Sequence, residues 1–555
     1  MKQIILTALV LIIRTHIFSQ VLFSTVPKNK QLYPRDLVTN LGTVEIAGVV
    51  NSTGTPYTEV RVEVFRGTGL LTTLSQTLTY TGSIAPFSFS YEIPAELKQY
   101  KFKIYGYNGI TLTLVRQVSN VVAGDAIIIQ GQSNADAGGF SGSSSAYNSN
   151  FIRGYGSGYT TAWQKNWAYS SGDFWNATLG HAGQWGMVLA KNIVDAYGIP
   201  VAVINGAEGG QPVEYFQRND ANPTDVNTNY GKLLKRIKEA GLQNNIRAVF
   251  WYQGESNAFF MTTDMYKDYF TQLHTDWLAD YPSIEQCYIF QIRKGCGQPI
   301  TGTLRIQEAH RQLANDLVNI HVMSTNGAQH YIDDCHFPFA GGYEFDGQNI
   351  YRLAARDLYD AAEELNSEPP TVVSAELAAL DQIVLTLENA SDTYNWESGS
   401  ENDFILYGTS VNIVSGLVSG NTIILNLSAD ATGITEISYV GHKGNSTPFP
   451  KNANGIGLLS FYKFPVDVLR LGDNSCNSTI KVYPNPADDH IHIQFEEIQN
   501  VVNTQIFSIT GMLIKGQSDF ETNTVSIDVH ELEPGFYVIK FESEGEKEVH
   551  ILSIE

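Results

Sequence analysis

The stretch Ala126-Ile127-Ile128-Ile129-Gln130-Gly131-Gln132-Ser133-Asn134 decides how this chain is read. A short apolar run with three β-branched residues suits a buried strand. It stops abruptly in a polar, glycine-bearing turn that carries a serine. Three later segments share this form. Val201-Ala202-Val203-Ile204 runs on to Gly209-Gly210-Gln211-Pro212. Ala248-Val249-Phe250-Trp251-Tyr252 ends in Gln253-Gly254-Glu255-Ser256-Asn257. Ile320-His321-Val322-Met323 is followed by Asp333-Asp334-Cys335-His336. Helical stretches lie between them: Met187, Ala190, Ile193, Val194 and Tyr197 mark one helix face that Gly198 and Pro200 stop. Strands alternating with helices predict an α/β layer domain over residues 122–365. In open parallel sheets, ligands sit beyond the carboxyl ends of the strands, so the four polar loops are expected to converge.

The residue types in those loops suit acyl transfer. A serine on a strand-to-helix turn exposes its hydroxyl and presents its own N–H to a developing oxyanion. It needs a base, and the base needs an orienting acceptor. Asp333 and His336 stand three apart, so one tight turn lets the carboxylate accept the imidazole Nδ1–H and leaves Nε2 for Ser133. Gly210 or Gly209 can bring a bare backbone N–H to the substrate, and Gln253 can add a side-chain donor. Asp334 is a neighbouring rival to Asp333. Glu255 is read as a loop brace before a second acid, and Gln132 and Asn134 as loop-shaping residues. His181 is read as a hydrogen-bonded loop histidine. His310 is expected on a helix surface. Lys232, Lys235, Arg236 and Lys238 are expected on a solvated helix face. No cofactor is implied: no Cys/His cluster has metal spacing, and Gly-Gln-Ser-Asn lacks the lysine of a phosphate loop. Cys335 is read as filler beside the loop.

The segments GQSNADA, GAEGGQPVEYF, WYQGESNA and DDCHF resemble the four blocks of SGNH hydrolases, nearest the carbohydrate esterases that include sialate O-acetylesterases and acetyl xylan esterases. The resemblance implies a flavodoxin-like three-layer domain. It implies Ser133 as nucleophile, His336 as general base and acid, and Asp333 as its orienter. The Ser133 N–H, the Gly210 N–H and the Gln253 side chain would form the oxyanion hole. The third block has Gln253 where the family name implies asparagine, and Gly209-Gly210-Gln211 replaces the usual Gly-Gly-Thr. The implied substrate is an acetylated carbohydrate. A lipid or thioester hydrolase of the same superfamily, and a non-catalytic glycan-binding surface protein, are the alternatives.

Outside this domain the chain is β-rich. Residues 21–121 and 370–470 alternate as strands separated by Gly and Thr turns, and each is expected to be a β-sandwich, the first Ig-like or fibronectin-like. Residues 138–183 are rich in Gly, Ser, Tyr and Trp. With Trp163, Trp167 and Trp175 they are read either as a substrate-binding lid or as a self-packed surface loop. Residues 1–20 read as a signal peptide: Lys2, the apolar run Ile4–Ile13, then Ser19-Gln20. From Cys476 the chain shows alternating strands with turns at Tyr483-Pro484-Asn485-Pro486, Gly511 and Pro534-Gly535. Over residues 476–555 it resembles the C-terminal sorting domain of type IX secretion substrates, which implies export by that machinery and a secreted or surface-attached protein.

Composition agrees with several domains and narrows the partners. At about 150 residues per domain, 555 residues make three to four. The net charge of −22 repels nucleic acid and anionic lipid. Much of that charge is in the tail: residues 476–555 hold 14 acids and 4 bases. No segment is long and apolar enough to span a bilayer. Four cysteines exclude a disulfide scaffold. Cys287 and Cys296 are close enough in sequence to bridge, or both stay as buried thiols.

Overall fold

The structure is a computed structural model that describes residues 20–156, 165–173, 180–362, 364–441, 448–468, 480–509, 512–543 and 546–554. Residues 1–19 of the expected signal peptide, Trp163, Trp175, Cys476 and Gly511 lie outside the described residues.

The chain is multidomain, with mixed sheets and β-rich regions around an α/β centre. The central strands are β1 (Leu112–Gly131), β2 (Ile152–Tyr155), β3 (Trp167–Ser171), β4 (Val201–Asn205), β5 (Ile246–Tyr252), β6 (Gln286–Gln291) and β7 (Ile320–Ser324). Between and after them come α1 (Ser133–Asp136), α2 (Gln184–Tyr197), α3 (Asn229–Ala240), α4 (Thr263–Asp280), α5 (Ile300–Asp316) and α6 (Glu344–Tyr359). The sheet order is β2-β4-β1-β5-β6-β7, every neighbouring pair parallel, with β3 antiparallel at the outer edge of β2. The strands are buried because helices cover them; Ile127, Ile128 and Ile129 are all fully buried in one core with Trp185, Phe250 and Phe290. Helix ends are set locally: Thr228 accepts from Gly231 N–H to start α3, and Gly198 and Gly241 close α2 and α3 in the left-handed conformation.

β1 does two jobs. Its first half pairs antiparallel with the strand Tyr100–Tyr107, and from Asp125 onward it lies parallel to β4 and β5. The expected division at 121/122 therefore falls inside one strand. Upstream, Val21–Thr25, Leu41–Asn51 and Ile84–Pro94 form one antiparallel sheet; Glu59–Arg66, Gly69–Thr77 and Tyr100–Tyr107 form another. Val44, Ile46, Val62 and Phe102 share one core between them. The region after Glu368 has its own core around Ile383, Leu425 and Phe461 and docks on the centre through buried polar bonds. Gln291 Nε2 donates to the Ser460 carbonyl at 2.9 Å, and Ser460 N–H donates back to Gln291 Oε1 at 2.8 Å. The tail strands from Lys481 to Ile554 enclose a separate core of Ile491, Ile493, Ile539 and Leu552.

Three expectations need correction. Arg236 is not on a solvated face. It turns inward from α3 and donates to the carbonyls of Asn205 (2.9 Å), Tyr155 and Gly156 (both 3.1 Å), and burial pushes its guanidinium down to about 10. His310 is fully buried on α5, because its face of the helix packs under the third loop; burial pushes its imidazole down to about 3. Trp167 begins β3, is 4 % exposed and packs edge-on to Tyr155 at 5.5 Å. That is a core position, held by pairing with β2, and not a lid.

Candidate active site

β1 ends at Gly131, whose φ of +135° and close approach to β5 both demand glycine: a Cβ there would lie 2.1 Å from the Tyr252 carbonyl oxygen. The chain then turns into α1. Gln132 N–H donates to Tyr252 O at 2.9 Å, and Gln132 Oε1 accepts from Ser256 N–H at 3.1 Å and Gln253 Nε2 at 3.2 Å. Ser133 opens α1, partly exposed, with its N–H among the helix-start amides that have no intrahelical acceptor.

The loop after β7 is organised by one carboxylate. Asp333 Oδ1 accepts from the N–H groups of Cys335 and His336, both at 3.0 Å, and Asp333 Oδ2 accepts from His336 Nδ1 at 2.6 Å. Partial burial alone would raise this carboxyl. The bonds from the His336 ring and the two amides outweigh it and hold Asp333 below its ordinary value. The other face of His336 stacks on Phe140, with ring centroids 4.0 Å apart. Asp334 points elsewhere and pairs with His330 Nδ1 at 2.8 Å. Asp333, and not its neighbour, thus orients the imidazole.

Asn134 ties these two loops and a third together. Its Nδ2 donates to Glu255 Oε1 at 2.7 Å and to the Cys335 carbonyl at 3.2 Å, while its Oδ1 accepts from Tyr343 Oη at 3.0 Å. The residue after Ser133 therefore grips the residue before His336. Ser133 and His336 are not hydrogen-bonded to each other; such contacts commonly tighten only with substrate bound. Glu255 is fully buried, which raises its carboxyl, and its Oε2 has no hydrogen-bond partner among the described residues. Its visible task is to brace Asn134.

The second loop lies against Ser133 through Gly209. A Cβ on Gly209 would stand 3.6 Å from Ser133 Cβ, whereas one on Gly210, at φ +74°, would meet nothing. Neither glycine N–H has a backbone acceptor among the described residues. Gln253 is buried at the end of β5, and its amide is heavily engaged. Nε2 faces three acceptors: Asn257 Oδ1 (2.6 Å), Gln132 Oε1 (3.2 Å) and the Gln211 carbonyl (3.2 Å). Oε1 accepts from Tyr266 Oη at 2.9 Å, and Tyr266 Oη also meets His310 Nε2 at 3.1 Å. His181 Nε2 lies 3.6 Å from Asp136 Oδ1, at the end of α1.

The cysteines pair in a way not anticipated. Cys296, in the loop after β6, is bonded to Cys335; Cys287 on β6 is a buried free thiol. The partners are 39 residues apart, so spacing along the chain concealed them.

Comparison with known proteins adds the family. Residues 123–351 match the carbohydrate esterase family described as sialic acid-specific acetylesterase, and residues 481–555 match the Secretion system C-terminal sorting domain. The centre of this chain is a carbohydrate esterase domain. A carbohydrate acetylesterase from Xanthomonas citri is 16 % identical, with a TM-score of 0.55 over 80 % of this chain and 99 % of that one. A protein from Arabidopsis thaliana is 17 % identical, with a TM-score of 0.33 over 42 % of this chain and 98 % of its own. NanS is 11 % identical, with a TM-score of 0.33 over 43 % and 98 %. No curated protein sequence matches the chain.

Several residues that shape the esterase domain's loops escaped the sequence reading. Phe140 lies in the aromatic-rich 138–183 stretch, but nothing local distinguishes it from its neighbours. Tyr343, Tyr266 and Asn257 read as ordinary helix and loop residues. Their roles depend on partners far away in the chain.

Proposed function

We propose that this is a secreted carbohydrate O-acetylesterase that works through Ser133, His336 and Asp333. The observation that carries it is the Asp333–His336 pair at 2.6 Å on a loop that Asn134, next to Ser133, holds in place. Ser133 Oγ attacks the acetyl carbonyl carbon as His336 Nε2 takes the hydroxyl proton. The tetrahedral intermediate collapses, the C–O bond to the sugar breaks, and His336 gives its proton to the departing alkoxide. Water then attacks the acetyl-Ser133 ester, its proton passing to His336, and acetate leaves as Ser133 regains a proton. Asp333 stabilises the imidazolium throughout. The oxyanion would be held by the Ser133 N–H, by the N–H of Gly210 or Gly209, and by Gln253, whose amide must exchange its Gln211 contact to serve. Such donors are worth ~3 kcal/mol each. Trp163 and Trp175 stay as proposed sugar contacts. The central layer is read as flavodoxin-like, the two flanking regions as β-sandwiches and residues 1–20 as a signal peptide. The sorting domain supports a secreted or surface-attached location.

The test is acetate release from a panel of acetylated glycans, with a chromogenic acetate ester as reference. Ser133→Ala and His336→Ala should each lower kcat by at least ~10³-fold with the fold retained. Acetyl esters should be preferred over longer acyl chains. Wild-type rates in Ser133→Ala would overturn the assignment.

A further inference from the structure

The loop that carries His336 is fastened to its neighbour by more than packing. Cys335 stands immediately before His336, gives its N–H to Asp333 Oδ1 and lends its carbonyl to Asn134. Its side chain is bonded to Cys296 in the loop after β6. The same two loops meet again where Cys296 N–H donates to the Asp334 carbonyl at 2.7 Å. They meet a third time through side chains: Arg293 Nε donates to His330 Nε2 at 2.6 Å, and His330 Nδ1 pairs with Asp334 at 2.8 Å.

Cys296 and Asp334 both hold left-handed backbone conformations, each at φ +52°. Residues with a Cβ keep such angles only where the surroundings impose them. The two strained positions sit one on each loop, directly at the clamp. Both cysteines are partly exposed and open to thiol reagents, whereas Cys287 is fully buried and its thiol is pushed well up by that burial.

We infer that the Cys296–Cys335 disulfide positions His336 against Ser133, so that the esterase reaches full activity only once this pair is oxidised. This rests on the proposed roles of Ser133 and His336. Oxidation joins the two sulfurs and passes two electrons and two protons to a disulfide oxidant, which becomes two thiols. A chain bearing an export domain meets such oxidants after leaving the reducing cytoplasm. The disulfide is thus a positioning element, and its effect falls on kcat, since a shift of about 1 Å at a catalytic group can cost ~10²-fold.

The experiment uses the full chain with Cys476→Ser, so that the pair and buried Cys287 are the remaining cysteines. Dithiothreitol, oxidised to its cyclic disulfide, opens the bond; oxidised glutathione restores it. Reduction should lower kcat on a chromogenic acetate ester at least tenfold with KM within twofold and near-ultraviolet circular dichroism unchanged. Reoxidation should recover the rate. Cys296→Ser/Cys335→Ser should match the reduced enzyme and ignore dithiothreitol. Equal kcat in both redox states, whatever the change in melting temperature, overturns the inference and leaves the esterase reading intact. Lost activity accompanied by lost circular dichroism also overturns it, because the bond would then only maintain the fold. An oxidised chain with no hydrolysis of any acetate ester overturns both.

Discussion

At the residue scale, the site depends on short polar contacts whose donors and acceptors are counted out. Gln253 has two N–H protons for three acceptors, so its side chain is oriented before any substrate arrives. The glycine pair Gly209-Gly210 offers a test of which position lies closer to the reacting carbonyl. A methyl on Gly209 would lie in ordinary contact with Ser133 at 3.6 Å and fill space beside the serine, and one on Gly210 would meet open space but a φ of +74°. Gly209→Ala should therefore reduce kcat/KM ten- to a hundredfold with a melting temperature close to wild type. Gly210→Ala should cost about 1 kcal/mol of stability through backbone strain, measured by urea unfolding. If Gly210→Ala is the variant that loses activity with its stability intact, Gly210 has the closer role.

At the element scale, helices α5 and α6 put ionisable groups behind the loops. Asp346, in the first turn of α6, is fully buried, and neither of its oxygens has a hydrogen-bond partner among the described residues. Burial pushes its carboxyl up to about 8 against the pull of Arg293. The folded chain therefore keeps a proton that the unfolded chain releases above the ordinary carboxylate range. Unfolding between pH ~4 and ~8 sheds that proton, so stability falls as pH rises through this window, by up to ~1.4 kcal/mol per pH unit from this one group. His310 acts with the opposite sign: buried neutral, it costs stability as pH falls below its ordinary value towards about 3. Asp346→Asn isolates the first effect. Urea unfolding at pH 5 and pH 8 should show a smaller difference in the variant than in wild type; an unchanged difference would mean that Asp346 is ionised in the folded chain.

On the scale of the whole molecule, the cores have different degrees of independence. β1 runs from the N-terminal sheets into the centre, and Ile456 and Leu459 from the region after Glu368 join the central core. Those parts are structurally continuous with the esterase domain. The tail is not: its buried residues form a cluster of their own. Deleting residues 469–555 should leave kcat/KM on a soluble acetate ester within twofold, and should abolish export in a host with the matching secretion machinery. A large loss of turnover in the purified truncated chain would show that the tail supports the site. Among the described residues no helix is long and apolar enough to cross a membrane.

The four polar loops and their order are legible in the residues alone. Each is a local event, an apolar run followed by a glycine-bearing turn, and Asp333 with His336 needs only three residues of chain to form its pair. The β-rich character of the flanks and tail was legible for the same reason, since alternation is written residue by residue. Tertiary structure alone decided what depends on distant partners. The union of Cys296 with Cys335, the inward turn of Arg236, the burial of His310 beneath Gln253 and the core position of Trp167 are of this kind. So is the continuity of β1 across two regions. A basic run or a lone cysteine looks the same in sequence whichever way it faces. Only the packing of the layers, which excludes water from one side and supplies carbonyls or a second sulfur, assigns its role.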